Sequence, residues 1–314
     1  GELKWTVGDT TLKIRSGPIV GADSTIYIGC FNTGEFGTPN GGFAALHPDG
    51  TVKWEIKKTE DFNELRPFMG KDGTLYARTK AGMLYAIDQQ GNILWEKQTV
   101  HAHWSVTTAS PDGQTLYMAG DNQMLGARDA STGELLWQKE TRIKLFHYAS
   151  VDNQGDIYYY RANPDSSFEI VSITPDGTEK WATKLDYKYW YYSDNYRIIE
   201  FGHSPMNGVS IAYNGFLYMG VSAHKYALDN NGLLRWRYTN SDQNRAIICD
   251  SYGNVVVHAN TKASITKISE DGNICKTLSL QGKISQPNPY LFSPAVGMDG
   301  SLLLTSWNIL VKVN

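Results

Sequence analysis

A short motif recurs along the chain at a nearly fixed interval: DGTVKW ends at Trp54, QGNILW at Trp95, TGELLW at Trp137, DGTEKW at Trp181 and NGLLRW at Trp236. The spacing is mostly ~40 to 45 residues. A sixth copy, DGNICK, ends at Lys276 without the indole. Upstream of each copy stands a turn followed by an alternating strand, seen as DSTIYIG, DGTLYAR, DGQTLYM, QGDIYYY, NGFLYMG, YGNVVVH and DGSLLLT. Between the two elements lies a further strand, as in MLYAIDQQG or KYALDNNG. Each unit reads as one four-stranded antiparallel blade with Gly and Asp in its tight turns. A lone blade leaves both faces bare, so the blades must pack face to face around an axis.

Seven copies predict an all-β, seven-bladed β-propeller forming a single domain over residues 1–314. The last copy stops after three strands, at ILVKVN, and the chain opens on GELKW. Joined, LVKVN and GELKW reproduce one repeat, so residues 1–7 are expected to pair with 293–314 as the missing outer strand. On this reading the repeat Trp and strand Tyr side chains are packing elements between blades.

The stretches SGPIVGADSTIYIG (16–29), LYAIDQQGNILW (84–95) and SPAVGMDGSLLL (293–304) resemble the pyrroloquinoline-quinone-like (PQQ-like) propeller repeat, and the resemblance covers essentially the whole chain. The same repeat serves quinone-dependent dehydrogenases, outer-membrane assembly scaffolds and surface proteins, so it implies fold more than activity. The dehydrogenases combine eight blades with a vicinal cysteine pair and a calcium-bound quinone. Here the three cysteines, Cys30, Cys249 and Cys275, are isolated, so PQQ is not expected, and no cofactor is expected beyond a possible divalent metal. The scaffold lipoproteins have eight blades and a lipidated N-terminal cysteine, and that assignment is not expected to carry over.

A net charge of −3 and the lack of a like-charge run disfavour nucleic acid as a partner. No stretch has the length of a membrane span, and the missing initiator Met gives the chain the look of a mature or excised segment. The compartment is expected to be extracytoplasmic: secreted, periplasmic or cell-surface.

Function is expected on the face that carries the inner-strand entrances and the blade hairpins. Aligning the repeats places Arg15, Glu64, Arg66, Trp104, His147, Tyr148, His203 and Arg245 at those entrances, with Trp307 in the last hairpin. His101, His224, His258, Arg78 and Arg161 fall in or beside the same loops, and only His47 of the seven histidines lies opposite. An aromatic-rich insertion, KYWYYSDNYRIIEFGHSP at 188–205, adds Trp190 and Tyr191. Three functions fit this set. One is a non-redox binding module holding a polysaccharide or oligosaccharide on the aromatic and basic face. A second is a polysaccharide lyase, with Arg66 or Arg245 neutralising a uronate while His147 and Tyr148 move protons. The third is a protein-interaction scaffold using blade edges. A metal-dependent variant would recruit His101, His103, His147 and His203.

Overall fold

The structure, a computed structural model, describes residues 4–6, 12–14, 18–32, 40–58, 67–79, 81–99, 107–119, 123–142, 149–165, 167–188, 192–194, 197–199, 208–221, 224–239, 247–249, 253–259, 264–279, 295–296, 302–306 and 309–313. Among them every regular element is a β-strand, as the alternating pattern predicts. The chain divides into two compact units, one of Gly1–Gly155 with Pro175–Gly177 and one of Asp156–Thr174 with Thr178–Asn314.

In the first unit, repeat 1 is built on Ile26–Asn32, Asn40–Leu46 and Val52–Lys58. Its inner edge carries two short strands, Leu12–Ile14 and Ile19–Val20, both paired with Ile26–Asn32. The expected four strands are thus five, because the inner strand is split. Pro18 stands between the two pieces, and a proline has no N–H to give to a ladder. Repeat 2 is four-stranded, with Phe68–Met69, Leu75–Arg78, Met83–Ile87 and Ile93–Gln98 in order. Repeat 3 follows the same plan with Thr107–Ala109, Thr115–Ala119, Met124–Asp129 and Leu135–Glu140.

In the second unit, repeat 4 contributes Ile157–Ala162, Ser167–Ile173 and Glu179–Lys188. Repeats 5 and 6 are four-stranded sheets ending in Leu234–Thr239 and Ile274–Ser279. Repeat 7 shows three strands among the described residues: Ala295–Val296, Leu302–Ser306 and Ile309–Val313. The aromatic insertion is more than a loop. Tyr192–Asp194 and Arg197–Ile199 pair as a two-stranded hairpin, with Asp194 opposite Arg197.

The middle strands are buried along both faces, as Leu75–Arg78 shows, whereas the outer strands alternate between exposed and half-buried positions. The core therefore lies between neighbouring sheets. Tyr27, Phe43 and Ala45 of repeat 1 pack with Leu75, Ala77, Tyr85 and Ile87 of repeat 2. Tyr218 and Ala227 of repeat 5 pack with Ile247, Val255, Val257 and Ile268 of repeat 6.

Each repeat Trp latches onto the next turn as well as packing. Its indole N–H donates to a carbonyl there: Trp54 to Gln89 (2.9 Å), Trp95 to Ala130 (3.1 Å) and Trp137 to Pro175 (2.8 Å) in the first unit. In the second unit Trp181 donates to Asn230 (3.0 Å) and Trp236 to Glu270 (2.7 Å). The ring lies on a turn glycine at positive φ. At Gly91 (φ +90°) a Cβ would stand 2.9 Å from Trp54, and at Gly232 (φ +81°) 2.6 Å from Trp181. Glycine is thus required there by conformation and by contact. Trp5 makes the same latch, to the Pro48 carbonyl at 2.9 Å, lying over Gly50.

Candidate functional site

The residues expected to ring the channel mouth, Arg15, Glu64, Arg66, Trp104, His147, Tyr148, Trp190, Tyr191, His203, Arg245 and Trp307, lie outside the described residues. So do the metal candidates His101 and His103. Among the described residues no group of three or more His, Cys, Asp or Glu side chains is placed to hold a metal.

Three side chains from the same loops are described, and each is engaged within the fold. Arg78 is 5% exposed, and its guanidinium donates to Thr99 Oγ1 (3.1 Å) and to the Ala119 carbonyl (2.7 Å), tying repeat 2 to repeat 3. Arg161 crosses its own sheet to Glu169 (2.5 Å) and Glu179 (2.7 Å). His224 Nδ1 faces Thr239 Oγ1 (2.9 Å) and Arg237 Nη2 (3.1 Å). A guanidinium can only donate, so Nδ1 accepts and the network assigns the ring proton to Nε2. Burial first, and the Arg237 charge second, hold this imidazole below its ordinary pKa, which keeps it neutral at pH 7.

A second constellation, on the turn side of the sheets, escapes the motif reading. In every outer-strand pairing among the described residues, the register slips one residue before the repeat Trp or its Lys276 counterpart. The extra residues at these β-bulges are Lys53, Leu94, Leu136, Lys180, Arg235 and Cys275. A bulge re-aims its side chain, and Lys53 and Lys180 reach the turn between the first two strands of their own repeats. Lys53 Nζ reaches Asp23 Oδ2 (3.1 Å) and Thr25 Oγ1 (3.0 Å). Lys180 pairs with Asp156, whereas Arg235 pairs with Asp229 in the turn between the last two strands (2.9 Å) and lies 5.9 Å from the Phe216 ring.

In repeats 2 and 3 the bulge residue is a leucine, and beside Leu94 a cleft of about 510 Å³ opens. Asp72, Thr74 and Tyr76 line one side, Leu94 and Trp95 another, and the turns bearing Asp112 and Asp129 the third. The adjoining outer strands expose Leu94 (56%) and Leu136 (55%).

The carboxylates of these turns are structural anions. Asp112 accepts from Ser110 Oγ and the Gln114 N–H, and Asp129 from Ser131 and Thr132. These hydrogen bonds hold both carboxyls below the usual range. Asp23 falls to about 2, chiefly through the Thr25 hydroxyl and N–H with Lys53 adding to them. Among the described residues, every carboxyl whose pKa departs from its ordinary value is lowered. A general acid needs the opposite shift. The arrangement offers fixed negative charge beside apolar surface, which suits binding.

Residues 1–157 match a family model described as outer membrane protein assembly factor BamB. Two solved structures are similar in fold. BamB from Moraxella catarrhalis is 14% identical, with a TM-score of 0.67 over 95% of this chain and 82% of that one. Selenomethionine-substituted virginiamycin B lyase from Staphylococcus aureus is 16% identical, with a TM-score of 0.57 over 79% of this chain and 82% of that one. A search of curated proteins by sequence gives no match.

Proposed function

Because the chain belongs to the PQQ-repeat family described as outer membrane protein assembly factor BamB, we propose that it is a non-catalytic propeller that binds another polypeptide outside the cytoplasm. Membership of a family described by an assembly factor favours the scaffold class of these propellers, which blade count and a terminal cysteine had counted against. The observation that carries the reading is the outer-strand surface of repeats 2 and 3. There Leu94, Leu135 and Leu136 are exposed on strands whose outer edges have no sheet partner among the described residues. Apolar side chains on open strand edges are suited to strand addition and side-chain docking. The carboxylates nearby are committed to their turns, which favours a binding surface over a site of proton transfer. Among the described residues no helix is long and apolar enough to cross a membrane.

The proposed ring has seven blades and closes on residues 1–7 as the outer strand of repeat 7. Trp5 supports this by latching onto repeat 1 as the other repeat Trp residues latch onto their neighbours. By the same alignment Lys4, one residue before Trp5, takes the bulge position. Asp299 and Ser301 then correspond to Asp23 and Thr25 of repeat 1.

The functional reading is tested by placing a photo-cross-linking residue at 94, at 136 and, as a control, at the exposed Tyr213 in the producing cell. Discrete polypeptide adducts from 94 and 136 but not from 213 are expected. Adducts that carry carbohydrate, or none from 94 and 136, overturn the reading.

A further inference from the structure

The capped turn of repeat 1 is a template for the cleft of repeat 2. In repeat 1, Asp23 accepts the Thr25 N–H at 3.0 Å and the Thr25 hydroxyl at 2.7 Å, and Lys53 caps the pair. In repeat 2, Asp72 holds Thr74 in the same way, at 3.0 and 2.8 Å. The bulge residue that should cap it is Leu94. No ion pair to Asp72 occurs among the described residues, and Lys71, the basic residue of the lining, donates to the Pro111 carbonyl. The same replacement recurs one repeat on, where Leu136 stands at the bulge and Asp112 in the turn.

We propose that the cleft beside Asp72 receives a lysine or arginine side chain from an extended segment of the partner protein, doing in trans what Lys53 does in cis. The cationic head meets the Asp72 carboxylate and the Thr74 hydroxyl. Its methylene stem lies along Leu94 and the Trp95 ring, covering apolar surface that a bare cation would leave wet. Asp112 and Asp129 add negative potential on the far wall. The cleft thus selects for charge, and the exposed leucines around it bind any apolar neighbour. This inference rests on the protein-binding reading and adds the chemistry of the partner.

The test uses the full chain and two fluorescent peptides, acetyl-Gly-Leu-Lys-Leu-Gly-amide and its Lys→Gln analogue, followed by anisotropy. The lysine peptide should bind saturably, and the glutamine peptide about fivefold more weakly, the scale of one partly exposed charge pair. Asp72→Asn should erase the preference. Leu94→Lys should weaken the lysine peptide by a similar factor, because the new amine fills the cleft as Lys53 fills its own. Repeat 1 already accommodates that geometry, and circular dichroism of each variant is the control for folding. Equal affinity for the two peptides, unchanged binding to Leu94→Lys, or no saturable binding up to millimolar concentration overturns the proposal. If cross-links at 94 and 136 to polypeptide persist in that case, the basic side chain is wrong while the protein-binding reading stands; if both fail, both fall.

Discussion

Replacing Trp236 by alanine lowers the unfolding free energy by about 3 kcal/mol, the low end of the range for losing a large aromatic side chain, because this ring is only half-buried. Three contacts are lost together. The indole lies 5.8 Å from Tyr218, donates to the Glu270 carbonyl, and rests on Gly272 at φ +85°, where a Cβ would stand 2.7 Å away. It also borders the cluster of Ala212, Tyr218, Ile247 and Val257 that joins repeats 5 and 6. Trp236→Phe keeps most of the packing and loses the hydrogen bond, for a cost of about 1 kcal/mol. Urea denaturation of both variants measures the difference. A Trp236→Ala loss below about 0.5 kcal/mol, the scale of ordinary surface substitutions, would show that the latch carries no weight.

The second large effect is a dependence on pH: the stability of Lys225→Met relative to the parent should be roughly 3 kcal/mol more favourable at pH 7 than above pH 10.5. Lys225 is 0% exposed, and its stem runs beside Gly220 and Ile247. Burial pushes its pKa from 10.5 down to about 8. Between those two values the unfolded chain binds the proton more readily than the folded one, so this residue's contribution to stability improves as pH rises through that window. Below pH 8 the full penalty is present, and above 10.5 it is gone. The stability of Lys225→Met minus that of the parent should be highest near pH 7 and fall by about 1.4 kcal/mol per pH unit from 8 to 10. A difference that does not change with pH would mean that desolvation of the amine is not the cause.

The sequence announces the architecture because each repeat carries its own turn glycine and indole, and the two must coincide in space. Gly91 is legible as a turn residue from the sequence. That Trp54 of the preceding repeat lies on it is not, because the contact joins residues a whole period apart. The split inner strand of repeat 1 is written in Pro18, but the strand pattern around it reads as continuous. Arg78 is only half legible, for a different reason. Its position at a strand end suggests the channel mouth, while the Ala119 carbonyl that claims it belongs to another repeat and leaves no trace in local pattern. The cleft in repeat 2 had a readable signal. The residue before each repeat Trp runs Lys, Leu, Leu, Lys, Arg, and only the bulge reveals that this position faces the turn aspartate.

The pattern set by Lys53 and Lys180, a bulge lysine capping the first turn of its own repeat while the next residue's indole latches the following one, reaches its sharpest claim at the ends of the chain. There Lys4 should cap Asp299, as Lys53 caps Asp23. Zero-length carbodiimide coupling joins only amines and carboxylates in direct contact, and the Lys53–Asp23 pair at 3.1 Å provides the internal standard. Peptide mass spectrometry of the coupled, monomeric protein should find Lys4 linked to Asp299 alongside Lys53 linked to Asp23. Recovery of the Lys53–Asp23 link with Lys4 never joined to Asp299 would contradict closure of the ring by residues 1–7.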